Sequence, residues 1–166
     1  MNRFIIEFNV EDIAKSLCDQ HIVKMPLEEA QMLCTTLWHH APEYAEKHDL
    51  YKPVHQKHPC TLWAMQTRAN YRYAYDLYSA MLVEYTHRYG KIHSTNALLN
   101  EVLSNAPENI KLEGWREPPP AMQHYPQCIV QGDSIQSYKN YYNEAKAYFA
   151  KWSKREQPEW FVGSMT

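Results

Sequence analysis

The sequence predicts a mainly α fold: a single compact helical domain over residues 1–166, with a long Pro-rich connection before the last helix. Apolar residues recur at helical spacing in most segments. The run from Thr61 to Tyr89 contains neither Pro nor Gly, which favours one long helix. A length of 166 residues, with 45% apolar and 22% charged side chains, suits one folded core.

Residues 4–8, FIIEF, read as a short strand or an extended lead-in, and Asn9 or Asp12 then caps a short helix over 10–18. Asp19 restarts a helical pattern to about His39, with Val23, Leu27, Ala30, Cys34 and Leu37 as its buried stripe. Pro26 lies about two turns in, where it kinks the helix rather than ending it. The polar segment 41–57, with Pro42 and Pro53, reads as a connection. Pro59 suits a first helical turn, and Leu62, Met65, Tyr75, Leu82 and Tyr85 form the packed side of the long helix that follows. A further helix is expected over 94–104, with Leu98, Leu99, Val102 and Leu103 as its apolar face. Periodicity fails over 105–133, where Pro107, Pro118, Pro119, Pro120 and Pro126 punctuate the chain; a connection this long is functional or mobile in most small domains. Asp133 and Gln136 have capping-box spacing and open a last helix to about Trp152, with Ile135, Tyr138, Tyr142, Ala145, Phe149 and Trp152 facing the core. Trp160 and Phe161 in the tail are expected to dock back on the body.

Only 4 Gly stand beside 13 Tyr and 5 Trp. Gly90, Gly114, Gly132 and Gly163 are far apart, which excludes a Gly-rich phosphate cradle. The aromatic surplus either stacks bases or fills a helical core. A formal charge of −2 gives no overall field for a polyanion, so any nucleic-acid site must be a local patch. No run approaches the ~20 apolar residues of a membrane span, and MNRFIIEFNVED lacks a signal-peptide core. A cytoplasmic protein with no membrane partner is expected, with Cys18, Cys34, Cys60 and Cys128 as free thiols.

Chemistry concentrates in CDQHIVKMPLEEAQML. At about 100° per residue, His21, Lys24, Glu28 and Gln31 form one polar row beside the apolar stripe. A carboxylate bordering the core with a cation one turn away is an acid/base candidate, and the same spacing also describes a solvated Lys24–Glu28 pair. In VHQKHPC, His55, His58 and Cys60 match no zinc-finger spacing, so no metal site is expected and His58 reads as structural or substrate-contacting. In TLWAMQTRANYRYAY, Arg68 and Arg72 form a fork for phosphates beside Trp63, Asn70 and Tyr71, with Trp63 or Tyr71 placed to stack a base. An Arg and Tyr series on a packed helix is the plainer account of the same residues.

Through LCDQHIVKMPLEEAQML the chain resembles phage-encoded relatives of the pyrimidine-dimer DNA glycosylases of the endonuclease V type. The likeness extends through KMPLE-x-AQ-L, HPC-x-LW and TRAN. The resemblance implies an α-helical enzyme, without cofactor, that excises a damaged or modified base from DNA and cleaves the abasic site. Placing the family's Asp-Gln-His on Asp19, Gln20 and His21 puts its catalytic glutamate at Glu28, with Arg3 as the N-terminal arginine. The family's nucleophile is an N-terminal α-amine. Asn2 is too large for the usual aminopeptidase, so the amine is expected on Met1, with Lys24 as the alternative amine. Arg3, Arg68 and Arg72 would hold phosphates, and Gln31 and Trp63 would lie near the extruded nucleotide. Two other uses remain open: an enzyme on free or modified nucleotides, and a non-catalytic DNA-binding module. The module would use Arg68 and Arg72 with Lys139, Lys146, Lys151, Lys154 and Arg155. Trp115, in the Pro-rich connection, is a further stacking candidate.

Overall fold

The computed structural model describes residues 1–163, apart from the side chains of residues 97 and 98, so Leu98 lies outside the described residues. The chain is mainly α-helical. Residues 1–6 enter the core outside any helix or sheet, with Ile5 N–H donating to the Arg3 carbonyl and Ile6 N–H to the Phe4 carbonyl, both at 3.0 Å, and Ile5 and Ile6 are buried. Helix α1 (Val10–Ser16) starts where Asn9 Oδ1 accepts the N–H groups of Glu11 and Asp12. Helix α2 (Asp19–His40) continues through Pro26. Its first turn is closed from outside, because Asp19 N–H donates to the Lys151 carbonyl and Cys18 N–H to the Tyr142 hydroxyl, both at 2.8 Å.

The segment expected as a plain connection contains α3 (Pro42–Lys47), started by Pro42 at its first turn. The expected single helix over 61–89 is two: α4 (Pro59–Gln66) and α5 (Arg68–Tyr89). They separate at Thr67, which is extended and whose hydroxyl caps Asn70 N–H at 3.0 Å. The Asn70 amide meanwhile donates to the Trp63 carbonyl at 2.9 Å, so side chains satisfy both ends of the break. Gly90 ends α5 with φ 68°, the left-handed conformation that costs glycine nothing.

Helix α6 (Ser94–Leu103) is followed by the Pro-rich connection, which carries one 3-10 turn at Pro126–Cys128. The connection is stapled in place: Trp63 Nε1 donates to the Arg116 carbonyl, Arg116 N–H to Asn70 Oδ1, and Ser134 N–H to Glu117 Oε1, each at 2.9 Å. The last helix is shorter than expected. Helix α7 (Ser134–Tyr141) passes into a π turn (Tyr142–Lys146), and the helical pattern stops well before Trp152. Asp133 caps Gln136 N–H, but the Gln136 side chain turns to Asn140, so the reciprocal half of the capping box is not made.

Two apolar clusters share α5. Leu77 and Met81 pack with residues 4–6, α1, α7 and Phe161 of the tail. Tyr71, Ala74, Tyr78 and Leu82 pack with Leu33, Leu37 and Trp63, and with Leu99 and Leu103 of α6. Val23 and Leu27, expected in the buried stripe of α2, are 46% and 40% exposed. The side of α2 turned inward instead carries Ile22, Met25, Glu29, Met32, Leu33 and Thr36. Leu62, expected on the packed side of its helix, is likewise exposed.

Candidate active site

The lead-in is held by its own side chains. Asn2 donates from Nδ2 to the Ala121 carbonyl at 3.0 Å. Its Oδ1 accepts Arg3 N–H at 2.9 Å and the Tyr138 hydroxyl at 2.7 Å. Arg3 is 3% exposed and bidentate to Glu29, Nε–Oε1 at 2.7 Å and Nη2–Oε2 at 2.8 Å. Its third arm donates to the Cys60 carbonyl at 2.7 Å, and the guanidinium lies 5.2 Å from the Trp63 ring centroid. Burial alone would lower the Arg3 pKa. The Glu29 carboxylate outweighs it by charge and hydrogen bonding and holds the guanidinium above its ordinary value.

These anchors bring the Met1 α-amine to 3.9 Å from Glu28 Oε2, while the Met1 side chain is 3% exposed. The gap exceeds hydrogen-bonding distance. The pair is therefore an ion contact worth about 1 kcal/mol in water and about 4 at an effective dielectric of 20, and it does not lock the amine's orientation. Glu28 Oε2 is buried and, among the described residues, has no hydrogen-bond partner. Glu28 Oε1 lies 3.4 Å from Lys24 Nζ, so the carboxylate stands between two amines. Lys24 is 60% exposed, and the desolvation that would prepare it as the alternative amine is missing.

His58 sits beside this group at the start of α4, where its Nδ1 accepts Cys60 N–H at 3.1 Å. Burial first, then the Met1 ammonium, His55 and Arg3, push its pKa down; the Met1 backbone acts in the opposite direction. A neutral His58 with Nδ1 accepting carries its proton on Nε2. Gln31, one turn beyond Glu28, is partly exposed. The structure thus brings the Met1 amine and Lys24 to the Glu28 carboxylate and His58 to the Met1 side of the group, with Gln31 one turn further along α2.

Other candidates lie elsewhere. His21 does not join the row: it is 4% exposed, stacked on Phe4 at 4.3 Å between ring centroids. The Tyr142 hydroxyl accepts Cys18 N–H at 2.8 Å and shares a hydrogen bond with His21 Nδ1 at 2.7 Å. Burial first, then the Lys146 and Lys24 cations, pull the His21 pKa from 6.5 to about 3. The unfolded chain takes up this proton near 6.5. Stability is therefore complete above that pH and declines as the pH falls towards 3, by an amount on the order of a few kcal/mol. Melting temperatures measured from pH 7 to pH 4 test this: a His21→Asn variant is expected to show a shallower decline than the parent.

Arg3 is likewise no phosphate ligand, because its guanidinium is committed inside the core. Trp63 and Tyr71 are each 1% exposed and Asn70 0%, so none presents a face to a base. Trp63 is wedged beneath Arg3, and Tyr71 donates to the Leu103 carbonyl at 2.8 Å. Asn70 stitches α4 to the connection. Trp115 packs against Trp63 and Tyr73 at 6.2 and 5.8 Å. Arg68 donates to the Glu108 carbonyl at 2.7 Å, and Arg72 is exposed on α5. The proposed basic patch is divided, since Arg155 pairs with Glu84 at 2.8 Å and Lys146 lies over the Tyr141 ring at 5.1 Å.

Cys60 points into the Asn2–Tyr138 cluster, and burial pushes its thiol pKa up, the opposite of what a nucleophile needs. Among the described residues no three His, Cys, Asp or Glu side chains are grouped to hold a metal, and no helix is long and apolar enough to cross a membrane. Sequence reasoning missed Asn2 as an anchor and Glu29 as the partner of Arg3. The one available signal for Glu29 was a second carboxylate adjacent to Glu28 on a helix, with no local cation at its spacing. Comparison with protein-family models, curated proteins and solved structures finds no match for the chain.

Proposed function

We propose that the chain is a DNA glycosylase with abasic-site lyase activity, in which the Met1 α-amine is the nucleophile and Glu28 the acid/base. The observation that carries this reading is the Met1 amine 3.9 Å from a buried Glu28 oxygen that has no other partner among the described residues. An amine and a carboxylate held together are the two groups an imine-forming glycosylase needs. The amine lone pair forms the N–C1′ bond as the bond from C1′ to the base breaks. That electron pair leaves with the base, which takes up a proton. Glu28, carrying the proton that the Met1 ammonium gives up on becoming the free amine, protonates the sugar O4′; the ring opens to an iminium, and the resulting carboxylate stabilises that cation. Loss of a C2′ proton then expels the 3′ phosphate. Lys24, on the other Glu28 oxygen, positions the carboxylate. His58 borders the Met1 amine, Gln31 lies one turn beyond Glu28 on α2, and the exposed Arg72 is available to a phosphate.

Borohydride trapping tests the reading, because reduction converts the imine to a stable amine. The full chain is incubated with a duplex oligonucleotide carrying an abasic site and with one carrying a pyrimidine dimer. A covalent adduct mapped to the Met1 peptide is expected, and the intact mass of the untreated chain reports whether Met1 carries a free amine. An adduct on Lys24 would move the nucleophile to that side chain. No adduct on either duplex would remove the lyase reading.

A further inference from the structure

A groove of about 640 Å³ lies between α1 and α5, lined by neither Met1 nor Glu28. The two helices run in the same direction: Tyr73 on α5 donates to the Phe8 carbonyl just before α1, and Arg88 near the end of α5 donates to the Ala14 and Lys15 carbonyls near the end of α1. The groove therefore has an ordered sequence of side chains. Glu11 and Asp76 stand at one end, Val10, Ala14, Ala80 and Val83 along the middle, and Lys15 and His87 at the other. Arg155 closes the basic end with its charge committed to Glu84. Among the described residues, none of Glu11, Asp76, Lys15 and His87 takes part in an ion pair. Val83 stands 70% exposed as a ridge on α5 beside the groove.

We infer that this face binds a second copy of the chain across a two-fold axis, with the two α5 helices antiparallel. A two-fold rotation reverses the order of charges, so the Glu11–Asp76 end of one protomer meets the Lys15–His87 end of the other, twice over. The axis then passes near Ala80 and Val83, where the face is apolar. Each Val83 ridge enters the groove of the other copy, and α1 and α5 from both protomers form a four-helix layer. One face carries both the ridge and the groove it fits, and opposite charges in reversed order, which is the self-complementarity an isologous interface requires. A helix from a different protein would fill the groove and leave the Val83 ridge without a counterpart.

Sedimentation velocity of the full chain over a range of concentrations tests this. A reversible dimer is expected. Val83→Glu, at an exposed position that leaves the fold intact by thermal melt, is expected to weaken it at least about a hundredfold, since it places two carboxylates in a closed apolar contact. Glu11→Lys alone and Lys15→Glu alone each set like charges against one another and are expected to weaken the dimer at least about tenfold. An equimolar mixture of those two variants restores association, because each then meets its opposite charge in the other. A chain that stays monomeric at the highest concentration overturns the inference. So does a dimer indifferent to Val83→Glu, or a mixture that fails to associate.

Discussion

Replacing Glu28 with Gln is expected to lower base release and abasic-site cleavage by about 10²–10⁴-fold, the range a positioned general acid or base contributes. Gln keeps the shape and hydrogen-bonding capacity of the side chain but can neither deliver a proton to O4′ nor stabilise the iminium. The fold should tolerate it. The substitution gives up the 3.9 Å ion contact with the Met1 amine, about 1–4 kcal/mol, and a solvated contact with Lys24 worth a few tenths of a kcal/mol, and it breaks no hydrogen bond of Oε2 among the described residues. Single-turnover assays on the abasic duplex, run beside thermal melts of both proteins, separate the two effects. A melt lowered by no more than the loss of that ion contact, with turnover abolished, assigns the chemistry to Glu28, whereas retained turnover removes Glu28 from the mechanism. Lys24→Met supplies a graded comparison: it removes the exposed cation while leaving the Met1 amine in place, and a smaller loss is expected.

The largest loss of stability is expected from Arg3→Met, about 3–5 kcal/mol, because it leaves Glu29 buried with no counter-charge. The Glu29 side chain is 2% exposed, and both of its oxygens accept from Arg3. Arg3→Lys should recover little. An ammonium cannot make the paired contacts to Glu29 and reach the Cys60 carbonyl at the same time. Arg3→Met combined with Glu29→Leu should restore much of the stability, since the desolvation of both charges is then avoided. Urea midpoints of the three variants measure this, and a small effect from Arg3→Met alone would show that the pair contributes little. The same variants report on the site, since Arg3 fixes the segment that carries the amine. Trapping yield should fall in Arg3→Met even at temperatures where the protein is still folded.

Helical periodicity was sufficient to read the fold class, the two long helical regions, the Pro-rich connection and the docking of Phe161. It does not say which side of a helix faces the core. On α2 the spacing of Val23 and Leu27 is as regular as that of Ala30 and Cys34, yet the first two are exposed, because the elements packed on the early turns approach from the side of Ile22, Met25 and Glu29. The break at Thr67 was illegible for a related reason. Its signals are a hydroxyl cap and an amide reaching back to Trp63, and neither Thr nor Asn interrupts a helical pattern as Pro or Gly does. Glu28 was reachable from the spacing of one helix. The neighbours that assemble around it were not, since Asn2 and Arg3 find partners at Tyr138 and Glu29 that no local window joins. Aromatic residues gave the least positional information: Trp63 and Tyr71 have the composition of a stacking platform and the burial of core residues.

The bond between Asn2 and Tyr138 spans 136 positions. Arg3 finds Glu29 26 positions on and Cys60 57 positions on, so the lead-in gains its anchors in stages, with those of Asn2 at Ala121 and Tyr138 the most distant in the chain. Only the bond from Asn2 to Tyr138 waits for α7. Closing so long a loop is entropically costly and slow compared with forming the helices. Full anchoring of the amine's segment is consequently a late event in folding, and helix formation by itself does not report when it is complete.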